Sequence, residues 1–152
     1  MSLEAKVPPP IVTVAVGFIM WGFSRFAPQL TMTSGSRLAV SLIIVVCGLF
    51  FIVAGVLSFR SARTTANPTK PEKASALVDT GIYRFTRNPM YLGLSFILAA
   101  WAIFLASAWA MLGIAGFVLY MNRFQIAPEE RALSGIFGSE FAAYKASVRR
   151  WL

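Results

Sequence analysis

The sequence predicts an all-α integral membrane protein, with four transmembrane helices and an amphipathic C-terminal helix on the cytosolic side. Three observations predict it. First, 57% of the 152 residues are hydrophobic and 13% charged, against about 45–50% and about 25% in soluble domains. A chain of this length has too little interior to hide that much apolar surface from water. Second, the apolar residues gather in runs that approach or reach the ~20 residues a helix needs to cross a bilayer. Third, the cations collect between and after those runs, mostly on one side.

The elements follow in order. MSLEAKVPPP carries one lysine, one glutamate and a proline brake before an apolar run. No small-residue cleavage site is clearly placed after that run, so the expectation is a retained first span, not a signal peptide. This span is 11–27, roughly 25 Å of helix, with Arg25 snorkelling from its end. The second, 38–59, is uncharged and roughly 33 Å long. PQLTMTSGSR between them has turn chemistry. The third starts at Pro89, a residue suited to the first helical turn, and covers 89–107; the fourth covers 108–127. One continuous helix over 89–127 would measure about 58 Å, about twice the hydrocarbon thickness, so a reversal near Ser107 is required. In the last segment, expected as a helix over 128–150, Leu133, Phe137, Phe141, Tyr144 and Val148 recur at helical spacing. Pro128 followed by two glutamates reads as a helix start. The apolar face would lie on the membrane or on the loop before span three, with Trp151 and the terminal arginines at the interface.

The formal charge of +8 admits nucleic acid or an anionic membrane as partner. The apolar excess decides for membrane lipid, and no nucleic-acid partner is expected. Arg60, Arg63, Lys70, Lys73, Arg84 and Arg87 lie in the 60–88 loop, and Arg123, Arg131, Lys145, Arg149 and Arg150 at or beyond span four. The opposite side holds Arg25 and Arg37. The positive-inside rule then places both termini and the long loop in the cytosol. There is no histidine and a single cysteine, Cys47. That removes the commonest general base and metal ligand, and an intrachain disulfide; no metal is expected.

Three polar constellations remain. In the central loop, Pro68, Pro71, a turn at Asp79–Gly81, Tyr83 and Tyr91 exceed what a basic lipid-facing loop requires. Gly81 and Gly93 bracket Arg87-Asn88-Pro89 and would let backbone approach a ligand, while the start of span three presents free N–H groups. Glu129-Glu130 read either as complements to a helix dipole or as acceptors for a cationic or hydroxyl-bearing ligand. Arg123 either snorkels or faces the bundle, pairing with an anionic substrate group or with Glu129 or Glu130.

LVDTGIYRFTRNPMYLG, followed about forty residues later by EERALSGIFGSEFAAYKASVRRWL, resembles the isoprenylcysteine carboxyl methyltransferase and phospholipid N-methyltransferase group of integral-membrane enzymes. RTTANPTKPEKASALV resembles its small bacterial members, which implies a bacterial inner membrane. The likeness spans about 59–152. It implies methyl transfer from S-adenosylmethionine to a lipophilic acceptor, with the cofactor at the cytosolic membrane face. The cofactor-binding positions carried over are Ser75, Ala76, Leu77, Val78, Tyr83, Asn88, Pro89, Met90, Tyr91 and Glu129, with Gly81 and Gly93 as flanking glycines. Arg87, Arg123 and Glu130 are the candidate catalytic residues, Glu130 as proton acceptor for an amine. Two family histidines are Ser75 and Asn88 here, and the arginine that meets a prenylcysteine carboxylate is Gln125. Two rival readings are an NADPH-dependent membrane reductase, suggested by the similar RNPMYLG turn, and a catalytically inactive membrane scaffold.

Overall fold

The computed structural model describes residues 6–26, 28–63 and 75–152. Among them the only β-structure is an isolated bridge between Gln29 and Ser107, and every other regular element is helical. Lys70, Lys73, Pro68 and Pro71, and the stretch of the 60–88 loop that holds them, lie outside the described residues. Helix α1 spans Pro9–Ser24, with prolines in its first turn, where a missing N–H costs no helical bond. Thr33 caps α2, Ser34–Ser61, by accepting the Ser36 N–H at 3.2 Å. At 28 residues, α2 is the one described helix long and apolar enough by itself to cross a bilayer. Helix α3, Pro89–Phe104, is apolar and 16 residues long, as is α1. The chain then reverses. Ala106 takes a left-handed φ of 49°, and its carbonyl accepts the Leu30 N–H at 2.7 Å.

Helix α4 spans Met111–Tyr120 and runs through a π-helical turn, Met121–Ile126, straight into α5, Ala127–Ser147. The helix expected from Pro128 is present as α5, but it is not separate: the π turn joins it to α4 without a break. A proline inside a helix has no N–H to donate and crowds the carbonyl four residues back. The wider π ladder, in which Ala127 donates to the Asn122 carbonyl, absorbs that misfit one turn early. The break comes instead at Gly138, with φ 51° and ψ −117°. The helix stops at Ser147, short of the expected residue 150, and the chain leaves it extended at Val148.

Helices α2 and α3 form the tightest seam. The buried residues of α2 are Ser41, Gly48 and Gly55, seven apart, a spacing that keeps one narrow stripe facing a neighbour. Ser41 donates to the Ala100 carbonyl at 3.0 Å. A Cβ at Gly48 would sit 2.8 Å from the Gly93 carbonyl oxygen, and one at Gly93 would sit 2.5 Å from that of Gly48. Gly55 likewise accommodates Pro89 and Met90. The opposite face of α2 is apolar and open, with Ile43, Val46 and Phe50 all more than half exposed. One core cluster, including Met20, Leu98, Phe117 and Met121, fills the bundle. A second joins Val78 and Tyr83 to Phe141 and Tyr144, with Phe59, Leu133, Phe137 and Val148 against it. The amphipathic face of α5 thus rests on the loop before α3. Trp151, expected at a membrane interface, packs against the bundle core and donates to Asn122 Oδ1 at 3.0 Å.

Candidate active site

The site begins at the turn before α3. Gly81 has a left-handed φ of 61°, and a Cβ there would come 2.9 Å from Ser58 Oγ, so both conformation and space call for glycine. A short 3₁₀ turn, Gly81–Arg84, then buries Tyr83. Its ring meets Phe59 edge-on at 5.4 Å and its carbonyl accepts the Tyr144 hydroxyl at 2.8 Å. The C-terminal tail crosses over the next residues. Arg87 N–H donates to the Arg149 carbonyl at 3.0 Å, and Asn88 Nδ2 donates to the Arg150 carbonyl at 2.9 Å. The Asn88 amide is therefore engaged by the tail. Pro89 opens α3 and directs Tyr91 inward.

Two adjacent carboxylates close the site from α5. The Tyr91 hydroxyl donates to Glu129 Oε2 at 3.0 Å. Glu130 is gripped by Arg150 through Nε at 3.1 Å and Nη2 at 2.6 Å, the two-pronged geometry that only a guanidinium supplies. Arg87 Nη1 stands 3.2 Å from the same carboxylate. The two glutamates thus have different surroundings. Burial pushes the Glu129 carboxyl up to about 7; the Tyr91 hydrogen bond works against this and the Glu130 charge adds to it. Burial, then the Glu129 and Tyr144 charges, hold the Tyr83 phenol far above its usual range, so it stays neutral. The Tyr144 phenol is raised too, chiefly by burial.

The structure brings Arg87, Asn88, Tyr91, Glu129 and Glu130 into one cluster, with Tyr83 close enough to feel the Glu129 charge. Val78 is buried in the adjoining core, with Leu77 against it, Ala76 half-buried and Ser75 exposed. Pro89, Met90 and Gly93 lie on the α2 seam, where Gly93 meets Gly48 backbone to backbone. Arg123 is exposed, its guanidinium 5.7 Å from the Phe124 ring centre. Gln125 is buried and donates to the Val7 carbonyl at 2.6 Å, tying the N-terminal segment to the π turn. Sequence reasoning missed Arg150 as the partner of Glu130, and Tyr144 as the clasp on Tyr83. The faint signal for the second was the periodicity that placed Tyr144 on the apolar face of α5.

Residues 36–140, more than two thirds of the chain, match the profile of the family described as phospholipid methyltransferase. The chain belongs to that family. The match takes in nearly all of α2, the turn before α3 and both glutamates. This family member is 51% identical over 63 residues to an uncharacterised protein of Haemophilus influenzae, covering 41% of the chain and all of that relative. It is also 42% identical over 67 residues to methanethiol S-methyltransferase 1 of Bradyrhizobium diazoefficiens, covering 44% of the chain and 22% of that enzyme. No solved structure matches it significantly.

Proposed function

We propose that the protein is an S-adenosylmethionine-dependent methyltransferase acting on a lipophilic acceptor, with its cofactor site at the cytosolic membrane face. The observation that carries this reading is the joining of the Arg87–Tyr91 turn to Glu129 and Glu130 by Tyr91–Glu129 and Arg87–Glu130 contacts. Membership of the phospholipid methyltransferase family supports the reaction class. The open apolar faces of α1 and α2 support a bundle embedded in lipid. In the proposed arrangement α1, α2, α3 and the α4–π segment are the four spans, with both termini in the cytosol of a bacterial inner membrane.

The residues present suit a cationic cofactor. Glu129 is a desolvated carboxylate whose hydrogen-bond partner is a neutral phenol, and its raised pKa marks a place where an added positive charge is welcome. When bound, the cofactor supplies an electrophilic methyl group on sulfur and leaves as a neutral thioether. The protein's task is therefore to align two reactants and exclude water. Tyr91 orients Glu129, and the Ser75–Val78 strip, Gly81, Tyr83, Asn88, Pro89 and Met90 build the surrounding wall. Arg87 and Arg150 hold Glu130, which makes it a brace between α5, the turn and the tail. An amine acceptor must lose a proton first. Glu130 is already paired with two guanidiniums, so Glu129, whose hydrogen-bond partner is the Tyr91 phenol, is the better placed carboxylate to take it. A thiol acceptor, as in the name of the Bradyrhizobium relative, makes the same demand.

A thermal-shift comparison in detergent tests the cofactor class, since only a ligand of the native state raises its melting point. S-adenosylhomocysteine is expected to raise it and NADPH to leave it unchanged; the reverse result establishes the reductase reading instead. Neither ligand acting would leave the inactive scaffold. Incubation with methyl-labelled cofactor and a total lipid extract then identifies the acceptor by its labelled product.

A further inference from the structure

A second feature lies at the other end of the bundle from the carboxylates. Gly55 of α2 packs on Pro89 and Met90 beside the site, whereas Ser41 packs on Ala100. Those fourteen residues of α2 correspond to about 21 Å along the helix. Around Ser41, helices α1, α2 and α3 leave a laterally open groove of about 710 Å³, within the ~300–1,000 Å³ of typical ligand sites. Phe18, Trp21, Leu42, Leu98, Trp101 and Phe104 are among its lining residues. Its few polar side chains are already satisfied: Thr13 donates to the Pro9 carbonyl, Ser41 to that of Ala100, and Trp101 Nε1 to that of Gly17. The wall therefore offers dispersion contacts and asks for no hydrogen bond. An alkyl chain meets that description; a polar or peptidic ligand would leave its own groups unpaired.

The rim has the opposite character. The Arg25 guanidinium lies over the Trp21 ring at 5.7 Å and that of Arg37 over Phe104 at 6.0 Å, both rings belonging to the groove. Arg37 Nε is buried with no hydrogen-bond partner. The sequence has no Asp or Glu between Val7 and Pro71, nor between Thr80 and Pro128, so the loops at this end carry two guanidiniums and no carboxylate.

We propose that this groove is a binding site for a phospholipid of net negative charge, its acyl chain between α1, α2 and α3 and its phosphate at Arg25 and Arg37. The site is separate from the methyl-transfer site. It rests on the membrane-embedded reading of the bundle, not on the reaction proposed for the other end. Each arginine is expected to contribute about a five-fold preference for the anionic headgroup.

The test uses the full chain carrying Trp109→Phe and Trp151→Phe, so that only Trp21 and Trp101, both on the groove wall, emit. It is reconstituted in phosphatidylcholine vesicles with a minor fraction of phosphatidylglycerol, the brominated chains being placed on one lipid or the other. Brominated phosphatidylglycerol is expected to quench as though enriched about five-fold or more over its bulk fraction, and Arg25→Gln or Arg37→Gln to reduce that enrichment. Quenching that follows bulk fraction for both lipids, unchanged in both variants, overturns the proposal. So does cross-linking of α1 to α1 of a second copy without quenching, which would make the groove a dimer face. Absence of quenching by either lipid with water-like emission overturns the embedded bundle as well. S-adenosylhomocysteine binding, measured on the unsubstituted protein in the same vesicles, keeps that failure distinct from one at the methyl-transfer site.

Discussion

Glu129 and Glu130 are neighbours in sequence and unlike in setting. Glu130 faces two guanidiniums; Glu129, half-buried, faces a phenol. The consequence is a pH dependence of definite sign. The folded pKa of Glu129, about 7, lies above the usual carboxylate range. Between the two values the folded state binds more protons than the unfolded one, so this group's contribution to stability is full at low pH and is lost as pH rises through about 7. Glu129→Gln is therefore expected to flatten the fall in melting temperature between pH 5 and pH 8. A cation favours the ionised carboxylate, so calorimetric affinity for S-adenosylmethionine should rise over the same interval and be accompanied by proton release. Affinity independent of pH would remove Glu129 from the cofactor site. Tyr91→Phe deletes the one contact that lowers this pKa. It should shift the affinity midpoint upward and weaken binding at pH 7 by roughly ten-fold, about the ~1.5 kcal/mol of a hydrogen bond to a charged group. The type of these residues could be read from the motif. The division of labour between them could not, because Arg150 reaches Glu130 from twenty residues away by way of a helix end and a tail.

At the scale of elements, the α2–α3 seam decides where the turn before α3 stands. Ser41, Gly48 and Gly55 let the two backbones meet, and small residues at such crossings are how helices associate where burial from water gives no drive. Gly93 is the point of closest approach. Gly93→Ala is expected to destabilise the protein by ~1–3 kcal/mol, the cost of overpacking a tight core, seen as a lower melting point in detergent. Cofactor affinity of the protein still folded should change little, since the added methyl points at Gly48. A variant of normal stability with lost affinity would return Gly93 to the cofactor wall. The reversal near Ser107 was legible from length alone, because no bilayer accommodates a helix of about 58 Å. The continuity of α4 into α5 was not. Pro128 and the two glutamates do stand in the first turn of α5, but a π turn carries α4 into it with no loop between.

For the whole molecule, the environment of the bundle and the closure of its site are the large questions. Cys47 is exposed on α2, midway along the helix. If lipid surrounds that face, a membrane-impermeant maleimide is expected to leave Cys47 unlabelled whether it is added outside the vesicles or loaded inside them, and to label it once the vesicles are dissolved and the chain unfolded in sodium dodecyl sulfate. Labelling in intact vesicles would remove α2 from the membrane. The tail closes the other end: Arg149 and Arg150 carbonyls hold Arg87 and Asn88, and the Arg150 side chain holds Glu130. Truncation after Val148 should therefore abolish cofactor-induced thermal stabilisation. Arg150→Gln alone, which keeps both carbonyls, should cost the partly exposed ion pair only up to ~1 kcal/mol.

By itself the sequence determined the helical class and the reversal near Ser107, which follow from composition, periodicity and chain length. Its motifs carried the family resemblance and the types of residue around Arg87–Tyr91 and Glu129–Glu130, but not Arg150, and Arg123 stands exposed outside that cluster. The tertiary structure alone decided which glutamate is braced and which is desolvated, that the α5 face rests on protein, and that Gly93 serves a helix crossing. Those outcomes depend on groups brought together from distant parts of the chain, and burial and pairing energies exist only once such groups are in contact.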